Sequence, residues 1–451
     1  MATTLEQPAP VRDGGTDRAL RIGLGATFLL IVLSAAIPTL TGWNVNGGDL
    51  LPVLSHWVPR VGAGTLPALL IAAVAVRYAA DLAMTARWGR LLVATWVGGV
   101  AWILALATVD GSFGLSRVLG RNDEYLQTAR STTDLAHTLS IYVSKIPLHA
   151  PTGHWPVHIA GHPAGALTFF VALVRIGLGS NLVAGLVVVT LAATTAVAVL
   201  VTLRLLGAET LGRRALPFLV LGPSALWQGV SADAMFAAVA AWGIAALACA
   251  ATRTSLGSAL AWSVVSGLVL GYTVMLSYGL PLIGILAFAV LVVARSWRPL
   301  IPTAIAAAAV LLVYAAYGFN WFQAVGVLRT RYWAGIASER PGWYWIWGNL
   351  AALAISAGPL LGVALTHAVR SRRSSDPMTR VVLWLSGAGV AMVLAADVSQ
   401  MSRAETERIF LPFIPWLLLS CALLPESWRR RGLVLQIALA LLIAHLFVTP
   451  W

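Results

Sequence analysis

Apolar runs of about 17 to 25 residues, the length a helix needs to cross bilayer hydrocarbon, recur along nearly the whole chain. Short segments rich in arginine separate many of them. The runs fall at 21–40, 64–84, 91–108, 182–203, 215–229, 233–252, 257–275, 278–295, 299–318, 347–368, 381–396, 410–424 and 433–449. This pattern predicts an all-α polytopic membrane protein of about thirteen transmembrane helices. Two stretches break the rhythm. Residues 110–163 are polar and hold acids, histidines and Lys145, the only lysine; residues 164–178 are apolar but short, interrupted by Arg175 and closed by Gly177-Leu178-Gly179.

Composition agrees with the pattern. Hydrophobic residues make up 59% of the 451 positions and charged residues 10%, which excludes an ordinary soluble globule. The formal charge of +13 comes almost wholly from arginine, and topological bias explains it better than nucleic-acid binding. With Arg12, Arg18 and Arg21 inside, the loop holding Arg87 and Arg90 is also inside. If 164–178 is an interfacial helix that does not cross, one choice puts Arg204, Arg213 and Arg214, then Arg253, Arg295 and Arg298, Arg370, Arg372 and Arg373, and Arg429 to Arg431 all inside. Segments 41–63, 109–181, 230–232, 319–346 and 397–409 then face outward, as does Trp451. Residues 1–20 read as a disordered cytoplasmic tail, and 21–451 as one membrane domain without a cleavable signal peptide. Cys249 and Cys421 fall inside spans and predict neither a disulfide nor a zinc site.

The candidate chemistry gathers on that outward face. Asp123 and Glu124, followed by Tyr125, offer a general base and a neighbour that orients it; the alternative is a solvated pair at the first turn of a helix. His154, His158 and His162 recur every four residues, but Pro156 and Pro163 break any helix through them. A metal site is therefore weak, and His158 and His162 read as contacts for phosphate or acceptor hydroxyls, or as loop anchors. The segment 397–408 carries Arg403, Glu405, Glu407 and Arg408, with Arg403 and Glu407 four apart and able to pair on a helical turn. Charges so close to a span serve either as interface anchors or as a functional site, and arginine forks suit phosphate oxygens. Arg329, Arg331, Trp333 and Trp343 lie in an aromatic loop that is either an interfacial belt or a sugar-stacking wall with arginines for phosphate. Asp233 begins a span, where it caps the helix or lines a site floor.

At these residues the chain resembles the GT-C superfamily of membrane glycosyltransferases. Asn122-Asp123-Glu124-Tyr125 looks like the acidic motif of their first large extracytoplasmic loop. Gly161-His162-Pro163-Ala164-Gly165 looks like the His-Pro-Pro turn that opens their juxtamembrane helix, with Ala164 where a second proline often stands. A short helix and an arginine-ended span follow in the same order. The likeness covers roughly residues 90–300 by pattern and departs in having two additional spans before the acidic loop and no evident soluble C-terminal domain. The segment from Arg403 to Arg408 is similar to mycobacterial and related actinobacterial members.

The resemblance implies a GT-C-like bundle with extracytoplasmic juxtamembrane helices in a bacterial plasma membrane. It implies an inverting transfer of a hexose or pentose from a polyprenyl-phosphate donor to a hydroxyl of an envelope glycan or lipoglycan. Asp123 would take the acceptor proton, with Glu124 as substitute base or positioning group. Arg403, Arg408, Arg329 and Arg331 would meet the leaving phosphate. Tyr125, His158, His162, Asp233, Glu405, Glu407, Trp333 and Trp343 would contact substrate. No cofactor is required, and a divalent cation is compatible with the chemistry. The competing reading is a transporter or flippase of a lipid-linked glycan, but the chain shows no internal repeat and its polar groups cluster on one face rather than at mid-depth.

Overall fold

The computed structural model describes residues 14–47 and 51–450; Arg12, most of the expected disordered tail and Trp451 lie outside the described residues. The fold is all-α. Its only strands among the described residues are two-residue pieces, His56–Trp57 and Phe447–Val448, paired antiparallel. Seven described helices are long and apolar enough to cross a membrane, or nine if each of two sharply bent pairs is one span.

The remaining expected spans are traced by shorter or more polar pieces. The run at 215–229 is divided between Glu209–Leu221 and Ala225–Gln228, at Gly222-Pro223, where the proline disfavours helical backbone before it. That at 278–295 contains the shorter Ile283–Ala294 helix. Pro412 and Pro415 confine the run at 410–424 to short turns. The expected span at 433–449 lies in Glu426–Leu446, whose first turns carry Arg429, Arg430 and Arg431. The run at 347–368 is the pair Gly342–Ser356 and Leu360–Arg370, bent by 101°, and Gly358 at the bend has φ +85°.

The first helix departs from expectation. It runs Gly14–Thr41, so residues 14–20 are helical rather than tail. Asp17 in its first turn complements the helix N-terminus, pairs with Arg21 at 2.7 Å and accepts from the Trp428 indole at 2.9 Å.

The short Ala164–Arg175 helix opens immediately after Pro163. Its middle and the turn after it pack on the polar layer: Tyr125 stacks on Phe170 with centroids 5.0 Å apart, and Arg130 donates to the Gly179 carbonyl just past its end. The helix is only twelve residues long, and the next long span begins at Asn181. Segments assigned to one face by charge are also joined to one another. Arg331 of the 319–346 loop binds the Ile146 and Trp155 carbonyls, Arg340 binds that of Asn46, and the Arg403 amide donates to the Tyr332 hydroxyl. At the other end Arg213 binds the Ala83 and Ala86 carbonyls, Arg204 lies over Trp88, and Arg429 feels the charge of Arg214. The polar and arginine-rich ends are thus opposite ends of one bundle.

Candidate active site

The site forms where the acid loop, the segment around 405–408 and the head of the Ala232–Thr252 helix meet. Asp123 and Glu124 stand just before the short Tyr125–Ser131 helix, with Glu124 at its N-cap. Arg121 grips Asp123 bidentately, Nε to Oδ1 at 2.9 Å and Nη2 to Oδ2 at 2.6 Å. A third Arg121 bond, Nη1 to the Pro450 carbonyl at 3.2 Å, ties this pair to the chain just beyond the Phe447–Val448 strand. His158, in the Val157–Gly161 turn, places Nε2 3.7 Å from Asp123 and 3.8 Å from Glu124.

Environment separates the two acids. Asp123 keeps 31% of its side-chain surface open, whereas Glu124 keeps 5%. Burial pushes the Glu124 pKa up to about 8, against the opposing charge of Arg408 and with help from Asp123. Burial also acts to raise Asp123, but the Arg121 hydrogen bonds and charge outweigh it and hold this carboxyl below its ordinary range. At neutral pH the open acid is ionised and the buried one mostly carries its proton. Glu124 Oε2 is buried and has no hydrogen-bond partner among the described residues. Burial, reinforced by Arg408 and His162, lowers His158 to about 3, so its imidazole is neutral. His162 is likewise lowered by burial, and its Nδ1 lies 2.8 Å from the His158 carbonyl. Since a carbonyl only accepts, that nitrogen carries the proton and Nε2 is the acceptor.

Arg408 is the hub of the second half. It donates to Asp233 at 2.6 Å and to Glu405 at 2.7 Å, and Glu405 also lies 3.6 Å from Arg340. Asp233 therefore faces the site floor rather than capping its helix, whose N-cap is Ser231. Two arginines on one carboxylate overcome its burial and lower the Glu405 pKa. The backbone holding this carboxylate is strained: Gln400, Ala404 and Glu405 all have left-handed φ, at 55°, 71° and 64°. Asn349 pins it in place, donating to Asp397 and to the Ser402 carbonyl and accepting from the Ala404 amide.

The pairing of Arg403 with Glu407 does not form. The left-handed residues delay the helix until Thr406, so the two are not on one turn. Arg403 instead reaches the carbonyls of Ala337 and Arg340, with its guanidinium 4.6 Å from the Trp333 ring centre. Glu407 is fully buried. Arg331 is spent on two loop carbonyls, Arg329 is exposed, and Trp343 packs edge-on against Trp43 at 4.5 Å. Thus Asp123, Glu124, Tyr125, His158, His162, Asp233, Glu405 and Arg408 converge, while Arg329 and Arg331 stay outside this network. Arg121 and Asn349 join it without a sequence motif; only the position of Arg121 two residues before Asp123 hinted at a partner. Among the described residues no group of three or more His, Cys, Asp or Glu is arranged to hold a metal ion.

No family model and no curated protein matches the chain. Among solved structures it is similar to ArnT from Cupriavidus metallidurans in the apo state, at 16% identity and a TM-score of 0.43. That likeness covers 74% of this chain and 60% of the other, so the chain spans less than two thirds of the length of the structure it matches.

Proposed function

We propose that this protein is an inverting glycosyltransferase of the GT-C type, using a polyprenyl-phosphate sugar on the extracytoplasmic face and a hydroxyl of an envelope glycan or lipoglycan as acceptor. The observation that carries the reading is the meeting of one open ionised acid, one buried protonated acid and a buried arginine hub at one end of a membrane bundle. Two carboxyls driven apart by their surroundings divide the work of base and positioning group.

In this scheme Asp123 receives the acceptor proton as the acceptor oxygen bonds to the anomeric carbon. The bond from that carbon to the phosphate oxygen breaks on the opposite side, and the electron pair leaves with the phosphate. Arg121 keeps Asp123 ionised at the cost of some basicity. The unpartnered Glu124 Oε2 marks where a substrate hydroxyl would be met, and neutral His158 and His162 add polar contacts without charge. The departing phosphate needs cations. Arg408 and Arg340 already share one anion, the Glu405 carboxylate. A lipid phosphate takes that place by displacing Glu405, with Arg403 and Trp333 at the rim. Glu405→Gln should then tighten binding of polyprenyl phosphate, because the two guanidiniums lose their internal counter-charge.

Purified protein in liposomes, supplied with polyprenyl-phosphate sugars and candidate acceptors with and without a chelator, tests the reading. A new glycosidic product supports it, and product lost with the chelator adds a divalent cation. Donor crossing the bilayer without product sinks it in favour of the flippase.

A further inference from the structure

The helices Thr65–Thr85, Trp88–Ala107 and Glu209–Leu221 line an apolar groove of about 360 Å³ that runs down to the arginine-rich end. This lies within the range of about 300–1,000 Å³ typical of small-molecule sites. Its walls include Tyr78, Leu82, Leu91, Gly98, Leu216 and Val220. Thr95 turns its hydroxyl back to the Leu91 carbonyl at 2.7 Å, leaving the wall oily. Along the first helix the lining runs from Leu70 to Ala83, roughly 20 Å at about 1.5 Å per residue. One leaflet of hydrocarbon is about 15 Å deep. The groove therefore matches one acyl chain lying along the bundle.

Its foot is cationic. Leu91, Ala94, Thr95 and Gly98 form one helical stripe, and Arg87 is the extended N-cap residue at the start of that helix. Arg87 is exposed, and no side-chain partner is found for it among the described residues. Arg213 lies one turn before Pro217 on the second wall and is fastened to the Ala83 and Ala86 carbonyls, while neighbouring Arg214 is exposed. Glu209 pairs with both Arg204 and Arg213, so this trio keeps a net positive charge, to which the exposed Arg87 adds. Basic pockets between transmembrane helices are suited to anionic lipid headgroups.

We infer that this groove is a binding site for one anionic phospholipid, its acyl chain between the three helices and its phosphate at Arg87. The inference stands apart from sugar transfer, since it uses the other end of the molecule and none of the acid-loop residues.

Gly98 supplies the sharpest probe, because a Cβ added there meets no atom within 4 Å. Gly98→Phe should fill the groove without disturbing the helices. The test is native mass spectrometry of the full chain, purified in detergent containing equal phosphatidylglycerol and phosphatidylcholine, with thermal stability recorded in parallel. The wild type should retain one phosphatidylglycerol in preference to phosphatidylcholine. Arg87→Gln should weaken that retention about five-fold, the value of one arginine near a membrane surface. Gly98→Phe should abolish it at unchanged thermal stability, and Gly98→Leu replaces it if the larger ring lowers stability. Equal retention of both lipids, or retention untouched by filling the groove, overturns the inference. So does a wild-type dimer that the filled groove dissociates, which would make a second copy the occupant.

Discussion

The 397–408 segment holds Arg408 and the 319–346 loop holds Arg331, two arginines of one polar layer, yet the fold uses them differently. In the first, Arg408 is buried between Asp233 and Glu405 and acts electrostatically on Glu124 and His158. In the second, Arg331 holds two backbone carbonyls and ties the loop to the acid-bearing layer. An arginine facing carboxylates sits in an anion-binding arrangement, whereas one facing carbonyls is a brace. Residue type alone does not separate them; the partner does.

The strongest way to break this contrast is at the acid itself. Asp123→Ala should lower turnover by about 10²- to 10⁴-fold, the usual worth of a positioned proton acceptor, while the protein elutes and melts as the wild type does. Unchanged turnover would remove Asp123 from the chemistry. Next comes the hub. Arg408→Met leaves Asp233 and Glu405 without their guanidinium and should cost about 3–5 kcal/mol of stability, read as a lower unfolding midpoint in detergent. Arg331→Gln, which frees the Ile146 and Trp155 carbonyls, should cost about 1–3 kcal/mol and leave the affinity for polyprenyl phosphate as it was. If Arg331→Gln weakened donor binding more than stability, brace and anion site would have been confused.

A smaller effect concerns Glu124. Its folded-state pKa of about 8 exceeds the ordinary value near 4.5, so the protonated form is the one folding favours. Its contribution is complete below the ordinary value and is lost as pH rises through about 8. Glu124→Gln should therefore flatten the decline in melting temperature across that window, and an identical decline in both proteins would place the titration elsewhere. Least of all, Arg329→Gln, at an exposed position, should change stability by no more than about 0.5 kcal/mol.

Much of this was legible in the chain, for physical reasons. Apolar length gave the class of fold, and arginine spacing separated its two ends, because both signals are local and repeated. Residues 164–178 were recognisable as a short helix set apart from the long spans, because Pro163 opens it and Gly177 closes it. Helix breaks were harder to see: hydropathy is blind to Gly358-Pro359 or to Pro412 and Pro415 inside an apolar run. The acids and histidines were visible as types in one loop, but the split between Asp123 and Glu124 was not. It depends on which carboxyl is buried, and on Arg121. The Arg403–Glu407 pair failed because spacing presumes a helix, and left-handed backbone at Ala404 and Glu405 removes it. Asn349 could not be read at all, since its partners lie some fifty residues away in sequence.

A density map of the protein with bound polyprenyl phosphate tests the central proposal most directly. The phosphate should lie about 2.7–2.9 Å from the guanidinium nitrogens of Arg408 or Arg340, with Glu405 displaced and Asp123 facing the vacated sugar position. A phosphate seated against Arg331 or Arg329 instead, with the Arg408–Glu405 pair intact, would contradict it.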